Sequence, residues 1–132
     1  YGNMTAYENL NIKCKLFGIK KAGYIDEILK TVGLEHVGRK KTKHFSLGMK
    51  QRLGIGLALV GEPDLLILDE PINALDDTGT EQIRDILIRH RERGALIIIA
   101  CHDADELNFL SDEIIEIVQG QIKPSKDDKK SA

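Results

Sequence analysis

The sequence is poor in cysteine and has no long apolar run, and both features limit what kind of protein it can be. Its two cysteines, Cys14 and Cys101, lie far apart and without metal-ligand spacing, which favours a reduced, cytosolic protein. The longest apolar run spans residues 95–101, well short of the roughly 18 residues that a membrane-spanning helix needs. No signal peptide opens the chain, so the sequence predicts neither secretion nor a membrane span.

Charge of one sign is not in large excess either. The net charge is -2 over 132 residues, which gives no global electrostatic argument for binding nucleic acid. Lys and Arg nevertheless cluster in residues 39–52, whereas Asp and Glu dominate residues 62–116. A hydrophobic content of 42% supports one domain or part of one, and a start at Tyr1 close to a helix signal leads us to expect a fragment.

Helix signals come first along the chain. Thr5 and Glu8 form a capping box, and apolar residues at helical spacing follow it up to a stop at Gly18. A second apolar series predicts a helix that ends at Gly33, and residues 34–37 could add one further turn.

A third helix is predicted after the basic residues 39–44, which we expect to form a solvated loop. Ser46 is a good N-cap for this helix. Gly54 and Gly56 weaken it, and we interpret them as positions of close backbone packing. Its expected apolar stripe consists of Leu53, Leu57 and Val60.

Strands alternate with helices in the second half of the chain. Residues 65–68 and 96–100 are predicted strands, and the second is apolar throughout, which predicts burial on both of its faces. Between them, a capping box at Thr78 predicts a helix that ends at Gly94. The remaining predicted elements are a helix over residues 103–110, a third strand over residues 114–118 and a hairpin turn at residues 119–120.

This order of elements predicts an α/β fold, with a helical subdomain over residues 1–61 and a partial parallel sheet over residues 62–122. We expect residues 123–132 to form a disordered tail, since they carry no apolar residue before the last alanine. Asp69 and Glu70 directly follow the first predicted strand. Because ligands of open α/β sheets lie beyond the carboxyl ends of the strands, two acids there suit a metal–phosphate site.

Four motifs in order resemble those of the nucleotide-binding domain of ABC transporters, and the match covers nearly the whole chain. Residues 45–49, Phe-Ser-Leu-Gly-Met, resemble the signature motif, and residues 65–70 resemble the Walker B strand. Residues 74–76 resemble the D-loop, and His102 resembles the switch histidine. Each motif is weak alone, but their shared order is a strong signal. The details are most similar to exporters of the antibiotic and peptide-resistance type.

The resemblance implies a P-loop NTPase (RecA-like) core whose N-terminal strands are missing, and it implies catalytic roles for three residues. Asp69 would hold Mg²⁺ through water, and Glu70 would polarise the water that attacks ATP. His102 would contact the γ-phosphate. The alternative for the acid pair is a structural one, in which Asp69 and Glu70 form a helix cap or a salt bridge.

The same resemblance implies that Ser46 and Gly48 contact ATP held by a second subunit, with the helix end below Ser46 as the anion site. Asp76 would cross the interface between the two subunits, although it could also simply cap the following helix. Leu47 and Met49 stand where the family usually has glycine and glutamine. The ordinary alternative for this segment is a capped helix without a ligand.

Two family motifs have no counterpart here. No Gly-x-x-x-x-Gly-Lys-Ser/Thr loop, the Walker A motif, occurs in the sequence. The resemblance implies that the Q-loop glutamine is missing as well. The resemblance therefore implies that the full-length parent binds ATP and Mg²⁺ and hydrolyses ATP, and that this chain alone is inactive. It also implies a dimer with a second nucleotide-binding subunit, and docking on transmembrane permease subunits at the inner face of the cell membrane. No nucleic acid partner is expected.

Two other classes of function stay open. A soluble ABC-type ATPase that acts on nucleic acid or ribosomes would use the basic residues 39–52. A non-catalytic interaction module is compatible with the missing phosphate-binding loop.

In the fold that the chain resembles, a further strand separates residues 96–100 from residues 114–118. Its absence would leave an apolar edge, which favours pairing with a second chain.

Overall fold

The computed structural model describes residues 1–123 and divides into two units, Tyr1–Cys101 and a second unit that begins at His102. The expected tail, apart from Lys123, lies outside the described residues. The elements of the first unit are α1 (Ala6–Leu16), α2 (Tyr24–Thr31), a 3-10 helix (Thr42–His44), α3 (Leu47–Leu59), β1 (Leu65–Asp69), α4 (Asp77–Glu92) and β2 (Leu96–Ala100). Those of the second unit are α5 (Ala104–Leu110), β3 (Ile117–Val118) and β4 (Gln121–Ile122).

The predicted capping box at the start of α1 is confirmed. The backbone N–H of Glu8 donates to Thr5 Oγ1 over 3.1 Å, and the N–H of Thr5 donates to Glu8 Oε2 over 2.7 Å. At the end of α2, Gly33 has a φ of +70°, and the N–H of Leu34 donates to the Leu29 carbonyl. This Schellman arrangement turns the chain away from the helix axis. Residues 34–37 then form a single turn, in which the N–H of Val37 donates to the Leu34 carbonyl over 3.3 Å, but no further helix is assigned there.

Residues 39–44 were predicted to be a solvated loop, and this prediction is wrong for part of the segment. Lys41 forms an isolated β-bridge with Thr5, and the 3-10 helix follows directly. Thr42 is buried, and both of its donors are satisfied there: its N–H donates to the Met4 carbonyl and its hydroxyl donates to the Tyr1 carbonyl. The segment therefore anchors the first residues of the chain.

α1, α2 and α3 pack against one another, and Gly56 explains how α3 comes close to α2. A Cβ at Gly56 would stand 3.2 Å from Ile28 Cγ2, so the predicted close packing is confirmed there. At Gly54 the same prediction is wrong, since a Cβ there would meet nothing within 4 Å. Of the predicted apolar stripe, Leu53 and Val60 are buried and Leu57 is half-buried. Within α3 the buried residues are Leu53, Ile55, Gly56 and Leu59.

The two long strands form a parallel pair, which confirms the predicted α/β fold with a parallel sheet. On one face of β1, Leu66 and Leu68 are buried. On the other face of the pair, four apolar side chains are 49–70% exposed: Leu65, Ile67, Leu96 and Ile98. The predicted burial of residues 96–100 on both faces is therefore wrong, because nothing within the first unit covers that face.

The third predicted strand is shorter than expected and lies in a hairpin. β3 pairs antiparallel with β4, and the turn uses Gln119 and Gly120, both with positive φ. The predicted hairpin is confirmed, but a third parallel strand is not found, since within residues 1–123 β2 pairs with β1 and β3 with β4. The Glu116 carbonyl accepts from the Lys123 N–H, so the end of the predicted third strand is hydrogen-bonded within the hairpin. None of the helices in the described part of the chain is long and apolar enough to cross a membrane.

Candidate functional site

The start of α3 is a capped helix end, as the sequence predicted. Ser46 Oγ accepts from the N–H of Met49 over 3.2 Å, and the Ser46 backbone is extended. The cap satisfies one of the first N–H groups of the helix and leaves this end with the partial positive charge of the helix dipole. Leu47, the first residue of the helix, is 68% exposed.

Gly48 faces its own chain. A Cβ at this position would stand 2.8 Å from the carbonyl oxygen of Ala74, in the loop that follows β1. The glycine is thus required by a backbone contact inside the first unit. Its predicted approach to the phosphate of ATP remains a prediction.

The acid pair lies at the carboxyl end of β1, as predicted. Asp69 is the last residue of the strand, is exposed and pairs in register with Ala100. Glu70 leaves the strand with a φ of +46°. A residue other than glycine in this region costs on the order of 1–3 kcal/mol, and such residues concentrate at active sites.

Three hydrogen bonds hold the backbone of Glu70 in this conformation. Its N–H donates to the Ala100 carbonyl over 2.8 Å. Its carbonyl accepts from the N–H of Asn73 over 3.1 Å and from Gln51 Nε2 over 3.1 Å. The bond from Gln51 joins α3 to the acid pair, and we did not predict it from the sequence.

Asp76 caps α4, and the sequence-based alternative for this residue is therefore confirmed. Its Oδ1 accepts from the N–H of Gly79 over 2.9 Å, and the helix begins at Asp77. The predicted capping box at Thr78 is wrong, because the aspartate two residues earlier already satisfies the helix end and Thr78 lies inside the helix.

Arg52 connects three elements of the first unit, and sequence reasoning missed this role. Its Nη1 donates to the Val32 carbonyl over 3.0 Å and to Gln82 Oε1 over 2.6 Å. Its Nη2 lies 3.5 Å from Asp76 Oδ1. A signal was present in the sequence, since Gly48, Gln51 and Arg52 are spaced three and four apart and so share one face of α3.

His102 begins the second unit and is exposed, and the next residue, Asp103, caps α5. Its predicted contact with the γ-phosphate stays a prediction. Cys101 is half-buried, and Cys14 is buried, which raises the pKa of the Cys14 thiol by desolvation. Both cysteines are free.

The donor chemistry at the end of β1 fits Mg²⁺ better than a softer metal. Asp69 offers exposed carboxylate oxygens, and residues 1–123 contain no group of three His, Cys, Asp or Glu side chains that could form a metal cage. Magnesium is commonly bound by one or two carboxylates together with water and substrate phosphates. The exposed carboxylate of Asp69 therefore fits as a ligand of magnesium.

Comparisons with known proteins show which family the chain is similar to. The family described as ABC transporter matches residues 1–73. The bacitracin transport ATP-binding protein BcrA of Bacillus licheniformis is 46% identical over 123 residues, covering 92% of this chain and 40% of BcrA. The lantibiotic transport ATP-binding protein SrtF of Streptococcus pyogenes is 39% identical over 122 residues, covering 92% of this chain and 53% of SrtF. A solved structure of an ATP binding subunit of an ABC transporter matches with a TM-score of 0.86 at 28% identity. The match covers 97% of this chain and 55% of that subunit.

This chain belongs to the ABC transporter family. The resemblance drawn from the four motifs is thereby confirmed at the level of the family, and the relatives include ATP-binding proteins of bacitracin and lantibiotic transport. The chain spans 40% to 55% of the length of the three proteins compared.

Proposed function

We propose that the chain is the C-terminal part of the ATP-binding, ATP-hydrolysing subunit of an ABC transporter that exports a peptide antibiotic. The observation that carries this proposal is the acid pair, with Glu70 held in a left-handed backbone conformation directly after β1. Active sites retain strained residues of this kind when the surrounding hydrogen bonds fix them. The bacitracin and lantibiotic transport proteins support the choice of substrate class.

Each residue of the site then has a role in ATP hydrolysis. Glu70 orients the attacking water and accepts its proton, which is typically worth about 10²–10⁴-fold in rate. Asp69 holds, through water, the Mg²⁺ ion that neutralises charge on the phosphates. His102 contacts the γ-phosphate and helps to position the water.

The remaining site residues act across an interface between two such subunits. Ser46 and Gly48 present the positive end of α3 to ATP held by the second nucleotide-binding subunit. Asp76 crosses the same interface while it caps α4. The subunit pair docks on transmembrane permease subunits at the inner face of the cell membrane, and no nucleic acid takes part.

The alternative of a nucleic-acid or ribosome partner loses part of its support. It depends on the basic residues 39–52, but the side chain of Arg52 is only 15% exposed and donates within the first unit. To bind a phosphate backbone and release its counterions, a basic side chain must be exposed to solvent. A non-catalytic module would show no ATP turnover in the complete subunit, so the measurement of turnover distinguishes it from the proposed function.

The proposal is tested by Glu70→Gln in the complete subunit. We expect ATP turnover to fall at least about 100-fold, because the amide cannot accept the proton of water. ATP binding should be retained. Phosphate release and equilibrium nucleotide binding are the measurements, and Glu81→Gln, an exposed position on α4, is the matched control. Turnover within a few-fold of the unchanged protein would remove Glu70 from the catalytic role.

A further inference from the structure

One face of α3 carries three contacts to the segment that joins β1 to α4. Gly48 lies against the Ala74 carbonyl, and Gln51 donates to the Glu70 carbonyl. Arg52 lies beside Asp76. We call this face, formed by Gly48, Gln51 and Arg52, the α3 contact face. Two of these contacts are with backbone carbonyls and the third is with the carboxylate that caps α4. The α3 contact face therefore fixes the conformation of the segment between β1 and α4.

Two residues that this face contacts have a positive φ, Ala74 at +67° and Glu70 at +46°, and Gln51 contacts the acidic one. Its amide reaches the peptide unit of Glu70, the residue with a φ of +46°. The Glu70 carbonyl accepts from both Gln51 and Asn73, and Asn73 itself belongs to the turn that follows the strand. The hydrogen bond from Gln51 therefore fixes the turn to a residue outside it, 19 positions earlier in the sequence.

We propose that Gln51 is a positioning residue for the carboxylate of Glu70. The direction in which a side chain leaves the backbone is set by the φ and ψ of its residue. If the Glu70 peptide relaxes toward an ordinary conformation, its Cα–Cβ bond turns and the carboxylate moves away from the water that it must contact. The amide of Gln51 prevents this relaxation. The inference rests on the proposed role of Glu70 in ATP hydrolysis.

The test uses the complete ATP-binding subunit and a pair of variants that differ in whether a hydrogen-bond donor is kept. Gln51→Met keeps the length of the side chain and removes the donor, whereas Gln51→Lys keeps a donor. We expect Gln51→Met to lower kcat for ATP hydrolysis about 10- to 100-fold, the usual effect of a displacement of about 1 Å in an active site. The KM for ATP should stay within about twofold, because the phosphates are held elsewhere, and Gln51→Lys should recover most of kcat.

A second measurement is independent of activity. In the protein without nucleotide, hydrogen–deuterium exchange of the amides in residues 69–76 should be faster in Gln51→Met than in the unchanged protein. Lys50→Met is the control, because Lys50 is the preceding residue of the same helix and is exposed. The control should alter neither exchange nor kcat by more than about twofold.

A double variant separates a positioning role from a general structural one. If Gln51 acts through Glu70, adding Gln51→Met to Glu70→Gln should lower kcat no further, since the group that it positions is already inactive. An equal loss in both backgrounds would overturn the inference, and so would a Gln51→Met variant with normal kcat while Glu70→Gln is inactive. In those two cases the proposed function still stands. If Glu70→Gln itself keeps full turnover, the proposed function is wrong and this inference falls with it.

Discussion

Gly48 and Ala74 are in backbone contact: a Cβ at Gly48 would lie 2.8 Å from the Ala74 carbonyl oxygen, closer than real Cβ atoms approach. The obstacle is backbone, so it cannot move aside as a flexible side chain would. We expect Gly48→Ala to lower the free energy of unfolding by about 1–3 kcal/mol, the usual range for overpacking, even after the helical gain of alanine. Urea denaturation measures this change.

Gly54 supplies the control for this prediction, because it lies in the same helix and a Cβ there would meet nothing within 4 Å. Gly54→Ala should raise the free energy of unfolding by roughly 0.5–1 kcal/mol through helix propensity alone. Equal effects at the two positions would show that the contact between Gly48 and Ala74 is not tight.

Arg52 should be the most costly charged residue of α3 to replace. Arg52→Met removes the hydrogen bonds to the Val32 carbonyl and to Gln82, and we expect a loss of about 1.5–3 kcal/mol in the free energy of unfolding. Asp76 contributes little to this loss, since its side chain is 78% exposed and an exposed ion pair is worth at most about 1 kcal/mol. Thermal or urea denaturation is the measurement.

Arg89→Met, at an exposed position of α4, is the matched control and should change stability by no more than about 0.5 kcal/mol. A similar loss in both variants would mean that Arg52 contributes through its bulk or charge and not through the hydrogen bonds that join the elements.

The 132-residue chain by itself should not bind Mg-ATP measurably at millimolar concentration, which corresponds to less than about 4 kcal/mol of binding free energy. The sequence contains no Gly-x-x-x-x-Gly-Lys-Ser/Thr loop, and we propose that Ser46 and Gly48 serve the nucleotide of a partner. Calorimetric titration is the measurement. A micromolar affinity would reveal a nucleotide site that neither the sequence nor the structure predicts.

The isolated chain should self-associate through β1 and β2. Their exposed face is apolar, and within the described residues β2 has no second neighbouring strand. Such an edge favours pairing with another chain. Light scattering should detect dimers or larger species, and Ile98→Lys, which places a charge on the exposed face, should shift the chain toward the monomer. Leu16→Lys changes an exposed apolar residue of α1 and should leave the association unchanged. A monomer at high concentration would show that the prediction is wrong.

The capping box of α1 should contribute stability that depends on pH. Hydrogen bonds from the backbone and the side chain of Thr5 lower the pKa of Glu8, and Lys41 nearby adds to the effect. Because the pKa is lower in the folded state, the contribution is present above the unfolded-state pKa and is lost as the pH falls through the folded-state value. The difference in urea midpoint between the unchanged chain and Glu8→Gln should therefore shrink in acid. A difference that is constant with pH would exclude this linkage.

The sequence by itself determined the features that depend on near neighbours. Thr5 and Ser46 were identified as helix caps because the hydrogen bonds of a cap span only three residues. The acid pair at the end of β1 and the hairpin turn at residues 119–120 were identified for the same reason, since strand pattern and turn chemistry are local. The family followed from the order of the motifs.

Only the tertiary structure decided which residues meet across longer separations. Gln51 reaches Glu70 across 19 residues and Arg52 reaches Gln82 across 30. The spacing of Gln51 and Arg52 places them on one face of α3, but it does not show which distant residues they meet. The exposure of Ile98 was predicted wrongly for the same reason, because an apolar strand has the same pattern whether or not another layer covers it. Packing between elements depends on the shapes of the side chains and on which other elements lie nearby. The spacing of residues along the sequence contains neither kind of information.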